Sequence, residues 1–199
     1  MVEFPDVMVD IETTGLRPDR TAILQIGAVK FNYENETVDG GLFNRSMHMP
    51  AHRYWDLETR NWWSKKKTVY DSIVARAEEP KDVMHDFADW VGYGHSEPLR
   101  FWAKPISFDS AFIESYFHDY DIKSPFSHRY ATDLMSFIKG ARGSMDVDSI
   151  YREVPMDGVA HDAIFDALYQ IKMVFHVKST LSKVNADVQG SAAPDRGER

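Results

Sequence analysis

Asp6-Val7-Met8-Val9-Asp10-Ile11-Glu12-Thr13-Thr14-Gly15-Leu16 is an apolar run that abruptly acquires two acids at its far end. Val7, Met8, Val9 and Ile11 predict a strand covered on both faces, because a short and nearly continuous apolar run suits the middle of a sheet. Side chains on a strand alternate, so Asp10 and Glu12 share one face with about 6–7 Å between them along the strand. Two carboxylates crowded on one face repel each other, and one protonates unless a hard, oxygen-seeking cation neutralises the pair. The plain alternative is a strand end emerging into water, where acids are common. Thr13-Thr14-Gly15 argues against it, since a glycine straight after the acids lets the backbone turn sharply or approach a ligand closely.

The chain has 199 residues, enough for one well-buried domain. We expect that domain over residues 1–180 and a disordered tail over 181–199, where hydrophobic periodicity fades and residues 190–199 are small and polar. There is no cysteine, which excludes disulfides and thiolate zinc sites and fits a reducing compartment. Glu3, Pro5 and Asp6 precede any long apolar run, unlike a signal peptide, and no segment reaches the ~18 apolar residues of a membrane span. A soluble, cytoplasmic protein with no membrane partner is expected. The formal net charge of −8 argues against coating nucleic acid through bulk positive charge, but not against an enzyme that holds one nucleic-acid end.

Working outward, Ile23-Leu24-Gln25-Ile26-Gly27-Ala28-Val29 predicts a central strand within residues 20–31, and residues 37–44 a third strand after a turn at 32–36. These three make a meander, so the sheet is expected to be mixed. Asp56 is placed to cap a short helix running towards Lys66. On that helix Trp62 and Trp63 lie about 100° apart and cannot both face the core. Arg53, Tyr54, Trp55, Arg60 and Lys65-Lys66-Lys67 surround them, an interleaving of aromatic and basic groups that suits single-stranded nucleic acid, although a core-facing aromatic cluster with a solvated lysine turn has the same composition. Pro80 opens an amphipathic helix that Gly92 stops. Residues 99–103 predict a strand, and a helix starts near Ser107 with Asp109 in its first turn, where a carboxylate is electrostatically favoured. Residues 130–132 predict a strand, 133–139 a short helix and 140–144 a mobile loop with Arg142 available to a phosphate. The last strong element runs from about His161 to Val177. Asp162 and Asp166 share one of its faces at i,i+4, which is mildly destabilising unless something neutral or cationic intervenes.

The acids Asp10 and Glu12, Asp109 and Asp166, with His161 five residues before the last, resemble in order and setting the DEDDh branch of the 3′–5′ exonucleases, the superfamily of proofreading domains, ribonuclease T and oligoribonuclease. The resemblance covers most of residues 6–177. Its first motif stands here as Val9-Asp10-Ile11-Glu12-Thr13-Thr14-Gly15-Leu16, continued by Ile23-Leu24-Gln25-Ile26-Gly27-Ala28. The second is Ile106-Ser107-Phe108-Asp109 and the third His161-Asp162-Ala163-Ile164-Phe165-Asp166. Two departures stand out. Many members place an asparagine shortly before the second-motif aspartate, where this chain has Lys104 and Pro105. Trp102-Ala103-Lys104-Pro105, with Trp62-Trp63 upstream, looks closer to the DexA-like phage exonucleases and related bacterial exoribonucleases. The tyrosine branch would put Tyr where Asp162 stands, so the resemblance is to the histidine branch.

That resemblance implies an α/β protein with a ribonuclease H-like fold, a central mixed β-sheet flanked by α-helices. It implies a metal-dependent 3′–5′ exonuclease acting on 3′ ends of single-stranded DNA or RNA, with a homodimer left open. Asp10, Glu12, Asp109 and Asp166 would hold two Mg²⁺ ions about 4 Å apart, Mn²⁺ being able to substitute. His161 would take the proton of the attacking water, a task suited to an imidazole titrating near neutrality. Thr13, Thr14 and Leu16 would meet the terminal nucleotide, with Leu16, Phe108 and Trp63 against base or strand. Two rival classes remain at this stage. A non-catalytic binding module on the same fold should have lost an acid or the histidine, and this chain keeps all five. A metal-dependent phosphatase or nucleotide hydrolase would use the same carboxylates on a small substrate.

Overall fold

The computed structural model describes residues 3–92 and 99–191. The decisive stretch forms β1 (Asp6–Thr13), which pairs antiparallel with β2 (Ile23–Asn32). Next come β3 (Thr37–Val38) and β4 (Phe43–Met47), both antiparallel to β2. The third strand expected over 37–44 is therefore broken in two. Gly40 and Gly41 carry no side chain to pack, and the ladder lapses there before Phe43 resumes it opposite Ala28. Helices α1 (Leu57–Ser64) and α2 (Lys67–Val74) lead to β5 (Ala77–Glu78), parallel to β4. Then follow α3 (Pro80–Val91), β6 (Arg100–Ala103), α4 (Ile106–Asp119), β7 (Ala131–Asp133), α5 (Leu134–Arg142), α6 (Ile150–Glu153) and α7 (Ala163–Ser191). The sheet order is β5-β4-β2-β1-β6-β7, with β6 parallel to both β1 and β7. The mixed sheet flanked by helices is the architecture expected.

Alternation along β1 divides the molecule into two layers. Val7, Val9 and Ile11 face a core built with Val83, Met84 and Phe87 of α3 and Phe112, Ile113 and Tyr116 of α4. Met8 faces the opposite core, with Leu134 and Ile138 of α5 and Ala167, Ile171 and Val174 of α7. Asp10 and Glu12 continue the Met8 face, so the acids emerge on the side that α7 covers. Asp6 starts the same row. It is fully buried and paired with Arg100 (2.6 Å to Nη2) and the Trp102 indole N–H (2.8 Å). This acid fastens β1 to β6 and belongs to the frame.

Three expectations change. α7 continues past Val177 to Ser191, through the first part of the segment read as a tail; residues 192–199 lie outside the described residues. No proline interrupts 163–191, so a helix nucleated by packing at its start propagates one bond at a time. Arg142 does not stand free for a phosphate, because Glu153 takes its guanidinium (2.6 and 3.1 Å) and Ser149 accepts a further bond. Arg53 is buried, donating to the carbonyls of Pro18 and Thr21 and to Asp119 (2.6 Å), with Tyr116 under its guanidinium. It ties the segment before α1 to α4 and cannot reach a strand. Among the described residues no helix is long and apolar enough to cross a membrane.

Candidate active site

Three elements bring the five residues together. β1 pairs with β6 only as far as Met8, which leaves the Ile11 N–H without a ladder partner on that edge. Asp109, in the first turn of α4, accepts it at 3.1 Å. The Asp109 carboxylate is thus stitched between Asp10 and Glu12. From the other layer α7 supplies Asp166 in its first turn. Its approach is set by Gly27 on β2, where a Cβ would lie 2.2 Å from the Ala163 carbonyl carbon and 2.3 Å from Ile164 N. Only glycine lets the start of α7 touch the sheet, and Gly27 is the register partner of Asp10.

Sequence reasoning gave Gln25 no role, yet it clamps the same junction. Its side chain accepts from Ala163 N (3.1 Å) and donates to Asp162 Oδ1 (2.8 Å) and Asn44 Oδ1 (2.9 Å). A lone amide inside Ile23–Val29 was the available signal, since a fully buried amide has to find partners. Gln170 was also passed over. Four residues after Asp166 on α7, it donates to Asp10 Oδ1 at 2.7 Å. The i,i+4 spacing put the two on one face.

His161 precedes α7 with a left-handed φ of 66°, a conformation histidine tolerates better than most residues. The bend returns its backbone N–H to Asp166 Oδ2 (2.8 Å). One donor atom each from Glu12, His161 and Asp166 lies within 4.8 Å of the others. The Trp62 indole packs edge to face on the imidazole, ring centres 4.7 Å apart.

These acids sit uneasily without a counter-charge. Asp10 is held well above the carboxylate range by loss of surrounding water and then by Asp109, Glu12 and Asp166, with the Gln170 bond opposing. Glu12 is raised likewise by burial and by Asp166, Asp109 and Asp162, Lys66 opposing. Burial pushes Asp109 up to about 7 against the Ile11 bond, and Asp166 is raised for the same first reason. His161 is lowered by burial and by Lys66, with Asp166 opposing, which favours the uncharged imidazole. An all-oxygen donor set under mutual repulsion fits hard divalent cations.

Beside the acids lies a cavity of about 390 Å³, lined among others by Glu12, Thr13, Leu16, Trp62, Trp63 and Phe108. Leu16 is 73% exposed at its mouth. Thr14 is elsewhere: fully buried, it donates to the Tyr54 carbonyl (2.9 Å) and accepts from Ala22 N (2.7 Å), so its side chain holds the turn and does not face a nucleotide. Trp63 is only 3% exposed and its indole N–H donates to the Thr13 carbonyl (2.9 Å). It backs the cavity wall, and the accessible indole is that of Trp62, 38% exposed. Gly15 serves close packing, since a Cβ there would lie 2.6 Å from Thr21 and 2.7 Å from Asp56.

The family model of the 3′-5′ exoribonuclease Rv2179c-like domain matches residues 5–177. The chain belongs to this family. It is a 3′–5′ exonuclease, as the motifs implied. No curated protein sequence matches it significantly. Solved structures similar in fold include the following three. The nuclease domain of 3′hExo, a DEDDh family member bound to rAMP, is 13% identical with a TM-score of 0.67 over 89% of this chain and 94% of that one. Schizosaccharomyces pombe Pop2p in its Mg²⁺- and Mn²⁺-bound form is 15% identical, with a TM-score of 0.65 over 88% and 83%. Escherichia coli exonuclease I in complex with a dT13 oligonucleotide is 16% identical, with a TM-score of 0.68 over 90% of this chain and 42% of that one. The chain therefore spans about two fifths of exonuclease I. The fold is ribonuclease H-like.

Proposed function

We propose that the exonuclease removes nucleotides one at a time from the 3′ end of single-stranded RNA, releasing nucleoside 5′-monophosphates. The observation that carries this is the convergence of Asp10, Glu12, Asp109 and Asp166 from β1, α4 and α7 with His161 beside them. The choice of RNA over DNA rests on the family description. Two divalent ions, Mg²⁺ with Mn²⁺ as a substitute, would supply Lewis-acid stabilisation of the phosphate and of the departing oxygen when bound. Asp10, at the centre of the acid cluster, would hold them together with Glu12, Asp109 and Asp166. His161 accepts the proton of the attacking water, and its lowered pKa leaves the ring nitrogen free to do so. Leu16, Phe108 and Trp62 hold the terminal base, while Thr13 shapes the turn beneath it.

The test is degradation of 5′-labelled single-stranded RNA and DNA side by side with Mg²⁺. A ladder of products shortening from the 3′ end, lost in excess chelator and slowed by a 3′-phosphate, is expected. Cleavage of a circular single strand, undiminished rate in chelator, or turnover confined to free mononucleotides contradicts it.

A further inference from the structure

A second cavity of about 350 Å³ lies on the other side of α1, lined by Trp55, Arg60, Trp63, Ser64, Lys67 and Tyr70. Its size is within the range of small-molecule sites, ~300–1,000 Å³. Trp63 lines both this cavity and the catalytic one, so a single indole separates them. Tyr70 stands between Trp55 and Trp63, 5.8 Å from each ring centre, which gives the cavity an aromatic wall. The opposite character comes from cations. Arg60 makes no ion pair among the described residues, and Lys67 is bound by Asp71 (2.6 Å) outside the lining. No acid lines it, in a chain whose net charge is −8. The cavity between α4 and β7, by contrast, carries Glu114.

Aromatic faces beside an unpaired cation, Arg60, with no acid in the lining match a nucleobase joined to a phosphate. We propose that this cavity is a second nucleotide subsite for the substrate strand, taking a nucleotide upstream of the one in the catalytic cavity. Tyr70 and Trp55 stack its base, and Arg60 holds its phosphate. The strand crosses α1 at Trp62 and Trp63, where Lys66 lies over the Trp62 ring (4.8 Å) and offers a further phosphate contact. This rests on the exonuclease reading for the identity of the strand, but the binding step does not require turnover.

The experiment measures binding of a 5′-labelled RNA dinucleotide and heptanucleotide by fluorescence anisotropy in chelator, for wild type, Arg60→Ala and Trp55→Ala. The heptanucleotide should bind wild type more tightly than the dinucleotide, and each variant should lose roughly tenfold for the heptanucleotide only, the scale of one stacked base or lost phosphate contact. Arg60→Ala should also flatten the salt slope by roughly 0.7, as loss of one single-strand phosphate contact does. Arg60 is exposed, so its variant decides the matter if Trp55→Ala does not fold. Unchanged heptanucleotide affinity and salt slope in Arg60→Ala, or a wild type with no preference for the longer strand, overturns the subsite. A wild type that binds with this preference yet hydrolyses nothing in Mg²⁺ overturns the exonuclease reading and leaves the subsite standing.

Discussion

A carboxylate in a crowded site is only as good a ligand as its orientation allows, and Asp10 is oriented from outside the acid cluster. The Gln170 amide donates to its Oδ1 and favours the ionised form against the three neighbouring acids. The amide oxygen of Gln170 is buried without a protein partner among the described residues, so the N–H bond to Asp10 is the contact that fixes this side chain. Gln170→Ala should weaken Mn²⁺ affinity, measured by calorimetry, ~10–100-fold, as loss of a partner that orients a metal ligand commonly does. Unchanged affinity in a folded variant would mean that Asp10 needs no such help. The His161 side chain gives a separable effect. His161→Ala should reduce kcat by roughly 10²–10⁴-fold while metal affinity holds, because a proton acceptor is lost and the acids remain. Near wild-type turnover would remove it from the mechanism.

At the scale of elements, the site depends on how closely α7 meets β2. A methyl group on Gly27 would collide with the backbone of Ala163 and Ile164, atoms that have no rotamer into which to retreat. Gly27→Ala should therefore cost ~1–3 kcal/mol of stability, the usual range for overpacking. It should also lift His161 and Asp166 away from Asp10, so that activity falls further than the loss of folded protein explains. Thermal melting beside specific activity separates the two; a variant as stable and active as wild type would show that α7 has slack. The same junction shows what the sequence revealed. The apolar run with two acids on one face gave β1, its alternation and the donor pair, because strand periodicity is local. The meander and the three motifs were legible for the same reason. The Gln25 clamp and the burial of Thr14 and Arg53 were not, since each depends on a backbone group that another part of the chain brings near. Trp62 and Trp63 show the limit most plainly: helical geometry required that one face outward, but which one depended on the Thr13 carbonyl waiting at the end of β1.

For the whole molecule, the acid cluster makes stability depend on pH and metal together. Asp10, Glu12, Asp109 and Asp166 all have folded pKa values above those of the unfolded chain. Such groups stabilise the fold most when protonated, below their unfolded values of 3.8 for Asp and 4.5 for Glu, and that contribution is lost as pH rises through the folded value, about 7 for Asp109. Other acids pull the opposite way, with Glu153 held at about 2 by Arg142, so wild type alone would give a mixed curve. Comparison with Asp109→Asn isolates the cluster, because an asparagine oxygen still accepts the Ile11 N–H without carrying charge. In chelator the variant should match wild type near pH 4 and melt progressively higher as pH approaches 7. Each kcal/mol regained should raise Tm by ~2–4 °C for a chain of this size. Saturating Mg²⁺ should reverse the order at pH 7, since only wild type presents all four carboxylates and ligand bound to the native state stabilises it by mass action. If the two proteins melt together at every pH in chelator, the repulsion inferred from the packed acids is absent. If Mg²⁺ leaves the Tm of both unchanged, the acids do not hold the ions that the chemistry requires.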